Sequence, residues 1–159
     1  MIHIFIADYR NPTHAQVLVA LLDGYARDPA GGGMPLLAEV RAGLAEALAQ
    51  RPQAFSVLAL DGEQPVGLIN CIEGFSTFAC KPLVNVHDVV VVASHRGQRL
   101  AQRMLARVEE EARSRGACKL TLEVLSGNAS AIKAYEREGF AGFQLDPAFG
   151  SALFLQKRL

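Results

Sequence analysis

Apolar and polar positions change their period several times along the chain, and each change marks an element. Residues 2–7 are a short run of alternating and β-branched character that predicts a first strand. Asn11-Pro12-Thr13 then offers a cap and a proline where a helix begins, and Val17, Leu18, Leu21, Leu22 and Tyr25 fall on one helical face. Gly31-Gly32-Gly33, within residues 28–35, breaks that helix. Leu36, Leu37, Val40, Leu44 and Leu48 predict the buried stripe of a second helix, stopped by Pro52. Residues 55–60 and 66–72 read as a hairpin around Asp61-Gly62. Residues 74–82 read as a loop in which Phe75 and Phe78 wall a pocket or at least one of them packs in the core, and residues 83–92 as a long strand. Four valines at the end of that strand predict cover on both faces. From Gly97 the period is helical again: Leu100, Met104, Leu105, Val108 and Ala112 form the stripe, and Gly116 ends it. Residues 120–125 read as a strand, and Asn128 caps a short helix through Glu138, ended by Gly139. Two last strands are expected at residues 140–145 and 153–157.

Strands interleaved with helices indicate a mixed α/β (α+β) fold. The chain has 159 residues, with no repeat, low-complexity tract or linker, so a single domain over residues 1–159 is expected. Sixteen basic and sixteen acidic residues cancel, which gives no global reason to expect nucleic acid or an anionic membrane as partner. No apolar stretch reaches the ~20 residues of a membrane helix, and the first residues do not read as a signal peptide. Cys71, Cys80 and Cys118 fit reduced thiols of a cytoplasmic protein. His3, His14 and His95 stand at no metal-ligand spacing, so no metal is expected.

The chemistry concentrates where the valine strand runs into the third long helix, over Val89-Val90-Val91-Val92-Ala93-Ser94-His95-Arg96-Gly97-Gln98-Arg99-Leu100-Ala101. The first helical N–H groups lack partners and sit at the positive end of the helix dipole, which suits a phosphate. Many strand-loop-helix units bind nothing, so this segment alone also fits an ordinary solvated helix start.

Arg96-Gly97-Gln98-Arg99-Leu100-Ala101 resembles the pyrophosphate loop of the GNAT acetyltransferases, with Arg99 in place of the central glycine. A second segment, Asn128 through Tyr135 to Gly139-Phe140, resembles that family's C-terminal signature, in the right order behind the expected strand. The resemblance implies a central mixed, mostly antiparallel sheet of about six to seven strands with about four helices, and a splayed parallel strand pair that holds the cofactor. It implies an N-acetyltransferase using acetyl-CoA, without a metal, and a small-molecule or peptide amine as acceptor. The alternative is an acyl-CoA-binding sensor or scaffold without catalysis; a longer acyl donor and a homodimer also stay open.

The site residues follow from the same resemblance. Backbone groups near Val89 and Val91 pair with the pantetheine amides, and an N–H near Val91 polarises the thioester carbonyl. Arg96, Gly97, Gln98, Arg99, Leu100 and Ala101 hold the diphosphate. Asn128 bonds the cofactor arm, caps its helix, or does both. Tyr135 donates a proton to the departing thiolate; the competing role is that of a core tyrosine. Strand alternation puts His87 on the face of Val89 and Val91, with Asp88 turned away, so His87 is the first candidate base and a packed histidine its alternative. Glu73, Asp88 and Glu123 are weaker candidates.

Overall fold

A computed structural model describes all residues from Met1 to Leu159. The chain divides into two compact units, Met1–Glu123 and Val124–Leu159.

The first unit is built on a five-stranded sheet in the order β1 (Ile2–Ile6), β2 (Ala54–Asp61), β3 (Gln64–Ser76), β4 (Lys81–Val91) and β5 (Leu120–Leu122). The first three pairings are antiparallel and β4–β5 is parallel. Helices α1 (Pro12–Arg27) and α2 (Ala38–Ala49) lie between β1 and β2 in sequence, and α3 (Leu100–Ser114) connects β4 to β5. Leu18 and Leu21 of α1 pack on Leu58, Leu68 and Val90. Met104 of α3 stands against Gly67, whose neighbour Leu68 faces α1, so α3 covers the opposite face. Residues 54–59 and 66–71 are buried without a break because both faces are covered.

Pattern and structure agree for β1, the β2–β3 hairpin, α1 and α3. Asn11 caps α1 through the N–H groups of Thr13 and His14, with Pro12 in its first turn. The stripe of α2 is only half-buried, and Leu37, at the helix cap, is exposed. The expected loop over residues 74–82 is mostly strand: β3 and β4 pair out to Ser76–Lys81, leaving a turn at residues 77–80. Phe75 and Phe78 are both exposed, because they sit at this hairpin's tip and not over the core.

In the second unit Asn128 caps α4 (Ala129–Arg137), its side chain accepting from the N–H of Ala131. Gly139, at φ 88°, ends the helix, and the N–H of Phe140 returns to the carbonyl of Tyr135. The two strands expected at residues 140–145 and 153–157 are not formed, so the sheet has five strands and not six or seven. A strand exists only with a hydrogen-bonded neighbour, and neither segment has one. No helix is long and apolar enough to cross a membrane.

Candidate functional site

The strand β4 carries an irregularity at the position that matters. Asn70 of β3 faces Asp88, but Cys71 faces Val86, so His87 is an extra residue on β4. Such a bulge bends its strand and sharpens the twist. Cross-strand partners share a face, which puts Val86 with Cys71 and Asp88 with Asn70, on opposite faces although only two residues apart. Simple alternation therefore does not carry across residue 87, and the side-sharing argument for His87 loses its basis. The His87 side chain is exposed.

The bulge also separates β4 from its parallel neighbour. The β4–β5 ladder consists of Val84–Leu120, Asn85–Thr121 and Val86–Leu122, and it stops at the residue before the bulge. Beyond it, residues 88–91, with Val89 and Val91 among them, pair with β3 alone. Their other edge carries no strand; Arg96 Nε takes the Val91 carbonyl there, and the remaining groups can receive an extended ligand.

β4 ends where the Val92 N–H bonds the carbonyl of Val66, and a single 3-10 turn, Ala93–His95, leads into the loop. Gly97 has φ 74° and Arg99 φ 58°. Arg99, which stands where the resembled motif has glycine, thus takes a left-handed backbone that glycine adopts readily, and α3 starts one residue later. Leu100, almost fully buried, anchors that start. The backbone N–H groups of residues 97–101 donate to no backbone carbonyl. The first α3 turn is therefore an open set of donors at the positive helix end. Arg96 is tied back: its Nε donates to the Val91 carbonyl at 3.1 Å, and its guanidinium meets the Asp28 carboxylate at 3.4 Å. The Gln98 amide holds the Ser94 carbonyl at 3.0 Å.

In the second unit, Tyr135 is half-buried on α4 and its ring meets Phe140 edge-on, with centroids 5.9 Å apart. The capping role of Asn128 is present.

Among the weaker acids, Glu73 is engaged by Arg115 at 3.1 Å. Asp88 belongs to a row of polar side chains that the sequence reading missed. The Tyr9 hydroxyl lies 2.8 Å from Ser56 Oγ, Ser56 donates to Asn70 Oδ1 at 2.6 Å, and Asn70 Nδ2 donates to Asp88 Oδ2 at 3.0 Å. Burial pushes the Tyr9 phenol above its ordinary value, partly offset by Ser56. The available signal was two polar residues, Ser56 and Asn70, at facing positions inside otherwise apolar strands. No group of three or more His, Cys, Asp or Glu is placed to hold a metal ion. An open groove of about 420 Å³ between α1 and α2, lined by residues such as Val19, Asp23 and Arg41, shares no residue with the β4 edge or its loop.

The chain is similar to known proteins over this region. It is 37% identical over 86 residues to the streptothricin acetyltransferase of Streptomyces lavendulae, a match covering 52% of this chain and 46% of that protein. The chain thus matches about half the length of that relative. A crystal structure described as a probable acetyltransferase superposes with a TM-score of 0.81 at 23% identity, covering 99% of each chain. An aminoglycoside acetyltransferase from an uncultured soil metagenomic sample gives 0.76 at 15% identity, over 100% of this chain and 99% of that one. At such identities the two structures speak for the fold. The model of the acetyltransferase (GNAT) family matches residues 18–140, which include the bulged strand, the loop, Asn128 and Tyr135; the chain belongs to the GNAT acetyltransferase family.

Proposed function

We propose that this chain is a single acetyltransferase domain that moves the acetyl group of acetyl-CoA to a primary amine by direct attack, with both substrates bound at once. The observation that carries the reading is the edge of β4 at residues 87–91 that no strand covers, which leads into the N–H groups of residues 97–101 that no backbone carbonyl takes. The first suits a ligand with amides in an extended arm, and the second suits a diphosphate. Acetyl-CoA has both parts and supplies, when bound, an acetyl group activated as a thioester.

Val89 and Val91 hold the arm through their backbone, and an N–H near Val91 stabilises charge on the carbonyl oxygen. Gly97, Gln98, Arg99, Leu100 and Ala101 hold the diphosphate, and Arg96 exchanges Asp28 for it. Asn128 serves both as cap and as a bond to the arm. His87 takes the proton that the attacking amine must lose, since only a neutral amine is nucleophilic. Tyr135 returns a proton to the leaving thiolate; a phenol is protonated at neutral pH and suits that role. The likeness to streptothricin and aminoglycoside acetyltransferases supports a small-molecule acceptor over a peptide. Arg99 in place of the loop glycine favours the alternative of a binding module without catalysis. Its support is weakened because Arg99 keeps the glycine-like backbone.

The test is release of free CoA across a panel of amines, alongside thermal melts with acetyl-CoA. At 100 times its dissociation constant the ligand is expected to add about 2.7 kcal/mol. Tyr135→Phe is expected to keep acetyl-CoA affinity and lose ~10²-fold in turnover. Binding without turnover on any amine would favour the sensor, and a melt indifferent to millimolar acetyl-CoA would overturn both readings.

A further inference from the structure

We infer that Asp88 is an anionic anchor for the acceptor, and that the acceptor therefore carries a second positive charge besides the amine that is acetylated. This rests on the acetyl-transfer reading above and names the substrate class for that site.

The argument starts from the direction of the donors. Ser56 has one hydroxyl proton, and it goes to Asn70 Oδ1. Tyr9 must then donate to Ser56. With its oxygen occupied by Ser56, the Asn70 amide points its nitrogen at Asp88 Oδ2. Every donor thus runs one way, from Tyr9 across β2 and β3 to a carboxylate on β4. Such a chain fits an ionised Asp88, which accepts only. It is not a proton wire, because the Asn70 amide neither takes up nor passes on a proton. Its effect is to fix the carboxylate in one orientation. A buried polar row inside a sheet costs desolvation, and Ser56 and Asn70 are both buried.

The carboxylate held this way lacks a counter-charge. Asp23, Asp28, Asp61 and Glu73 each meet a cation of the protein, but Asp88 takes part in no ion pair. Its one protein partner is a neutral amide. The second oxygen has no protein donor, and it is not sealed from the surface, since no buried side-chain oxygen is left without a partner. The half-buried Asp88 also stands next to the bulged His87 and one residue before Val89, on the strand whose edge the proposed cofactor uses. A fixed anion with one open oxygen recognises an ammonium or guanidinium. It does not need to accept the reacting proton, which falls to His87.

The test compares 1,3-diaminopropane with propylamine, which differ by a distal ammonium, in wild type and Asp88→Asn. Asparagine keeps the size and can still accept from Asn70. The wild type is expected to favour the diamine, mainly through KM. In Asp88→Asn the diamine KM is expected to rise about tenfold or more, with a much smaller change in kcat, and the preference over propylamine to disappear. Asp88→Glu, which keeps the charge, is expected to restore part of the preference. Tyr9→Phe, which removes the first donor, is expected to raise the diamine KM by a few-fold only. Turnover in which Asp88→Asn keeps the wild-type preference overturns the anchor and leaves acetyl transfer standing. The transfer reading itself is judged on the full amine panel, and where the wild type turns over neither of these two amines, binding replaces turnover as the readout. Calorimetry with spermidine then decides the anchor: binding lost in Asp88→Asn supports it, and equal binding overturns it.

Discussion

Arg99 holds a backbone conformation that an L side chain resists, at a cost of roughly 1–2 kcal/mol relative to glycine. Arg99→Gly relieves that strain but enlarges the freedom of the unfolded chain, which offsets about 0.4–1 kcal/mol. The expected net is a modest stabilisation of about 0.5 kcal/mol in urea unfolding, with acetyl-CoA affinity kept or improved. Arg99→Val, β-branched at positive φ, is expected to lose more than about 1 kcal/mol. If valine is as stable as arginine, the left-handed assignment is wrong. The loop between β4 and α3 was legible from Arg96 and Ala101, which match the ends of the resembled motif. The conformation of Arg99 was not, because nothing in an arginine prefers the left-handed region. Ser56 and Asn70 were present in the sequence as polar interruptions, but their connection to Tyr9 and Asp88 depends on strand register, which a single sequence does not fix.

Elements with a strong period and a clear stop were the most legible. The α3 stripe Leu100, Met104, Leu105, Val108 and Ala112 is buried as read, and Asn11 and Asn128 cap where they were expected to. The bulge at His87 was invisible, because one extra residue in a strand leaves the local pattern almost unchanged while reversing faces beyond it. Residues 140–145 and 153–157 failed for the opposite reason: their pattern suits strands, but pairing is a property of two segments and not of one. The glycine run after α1 was read as a break, and the structure adds a steric requirement at its first member. A Cβ on Gly31 would stand 2.1 Å from the Tyr25 carbonyl oxygen, so the chain must move. Gly31→Ala is expected to destabilise by about 1–3 kcal/mol, seen as a Tm loss of roughly 2–4 °C per kcal/mol. Gly33→Ala is a useful contrast: it meets no atom within 4 Å but sits at φ 75°, so its loss should come from backbone strain and stay near 1 kcal/mol. An unchanged melt for Gly31→Ala would show that this turn repacks freely.

Across the whole molecule, ionisable groups bound the pH range of stability from both sides. On the acid side, the Leu36 N–H and Arg27 hold the Asp23 carboxyl below its ordinary value, and the N-terminal ammonium and His95 do the same for Asp61. A lowered folded value means stability present above the unfolded carboxyl range and lost as pH falls through the folded value. Both groups are in part open to solvent, Asp61 more than Asp23, so this limb should be shallow and sensitive to salt. On the alkaline side, burial pushes the Cys71 thiol from about 9 up to about 12 and raises the Tyr9 phenol as well. In the unfolded chain Cys71 ionises above pH ~9, while in the fold it stays protonated to about 12. The folded state then holds the extra proton, and stability falls as pH rises between those values. Tyr9 adds a smaller share from pH ~9 upward, because an unfolded phenol is about one-tenth ionised at pH ~9 and half ionised at pH ~10. The window from pH ~9 to ~10 is therefore dominated by the thiol. Urea unfolding at pH 7, 9 and 10 is expected to show a decline of about one proton's worth per pH unit in that window for the wild type. Cys71→Ala is expected to be less stable at pH 7, because it opens a small cavity, but flatter from pH 9 to 10. Tyr9→Phe is expected to lower the slope there by less than Cys71→Ala does. A slope that persists unchanged in Cys71→Ala would mean that another group gives up the proton on unfolding.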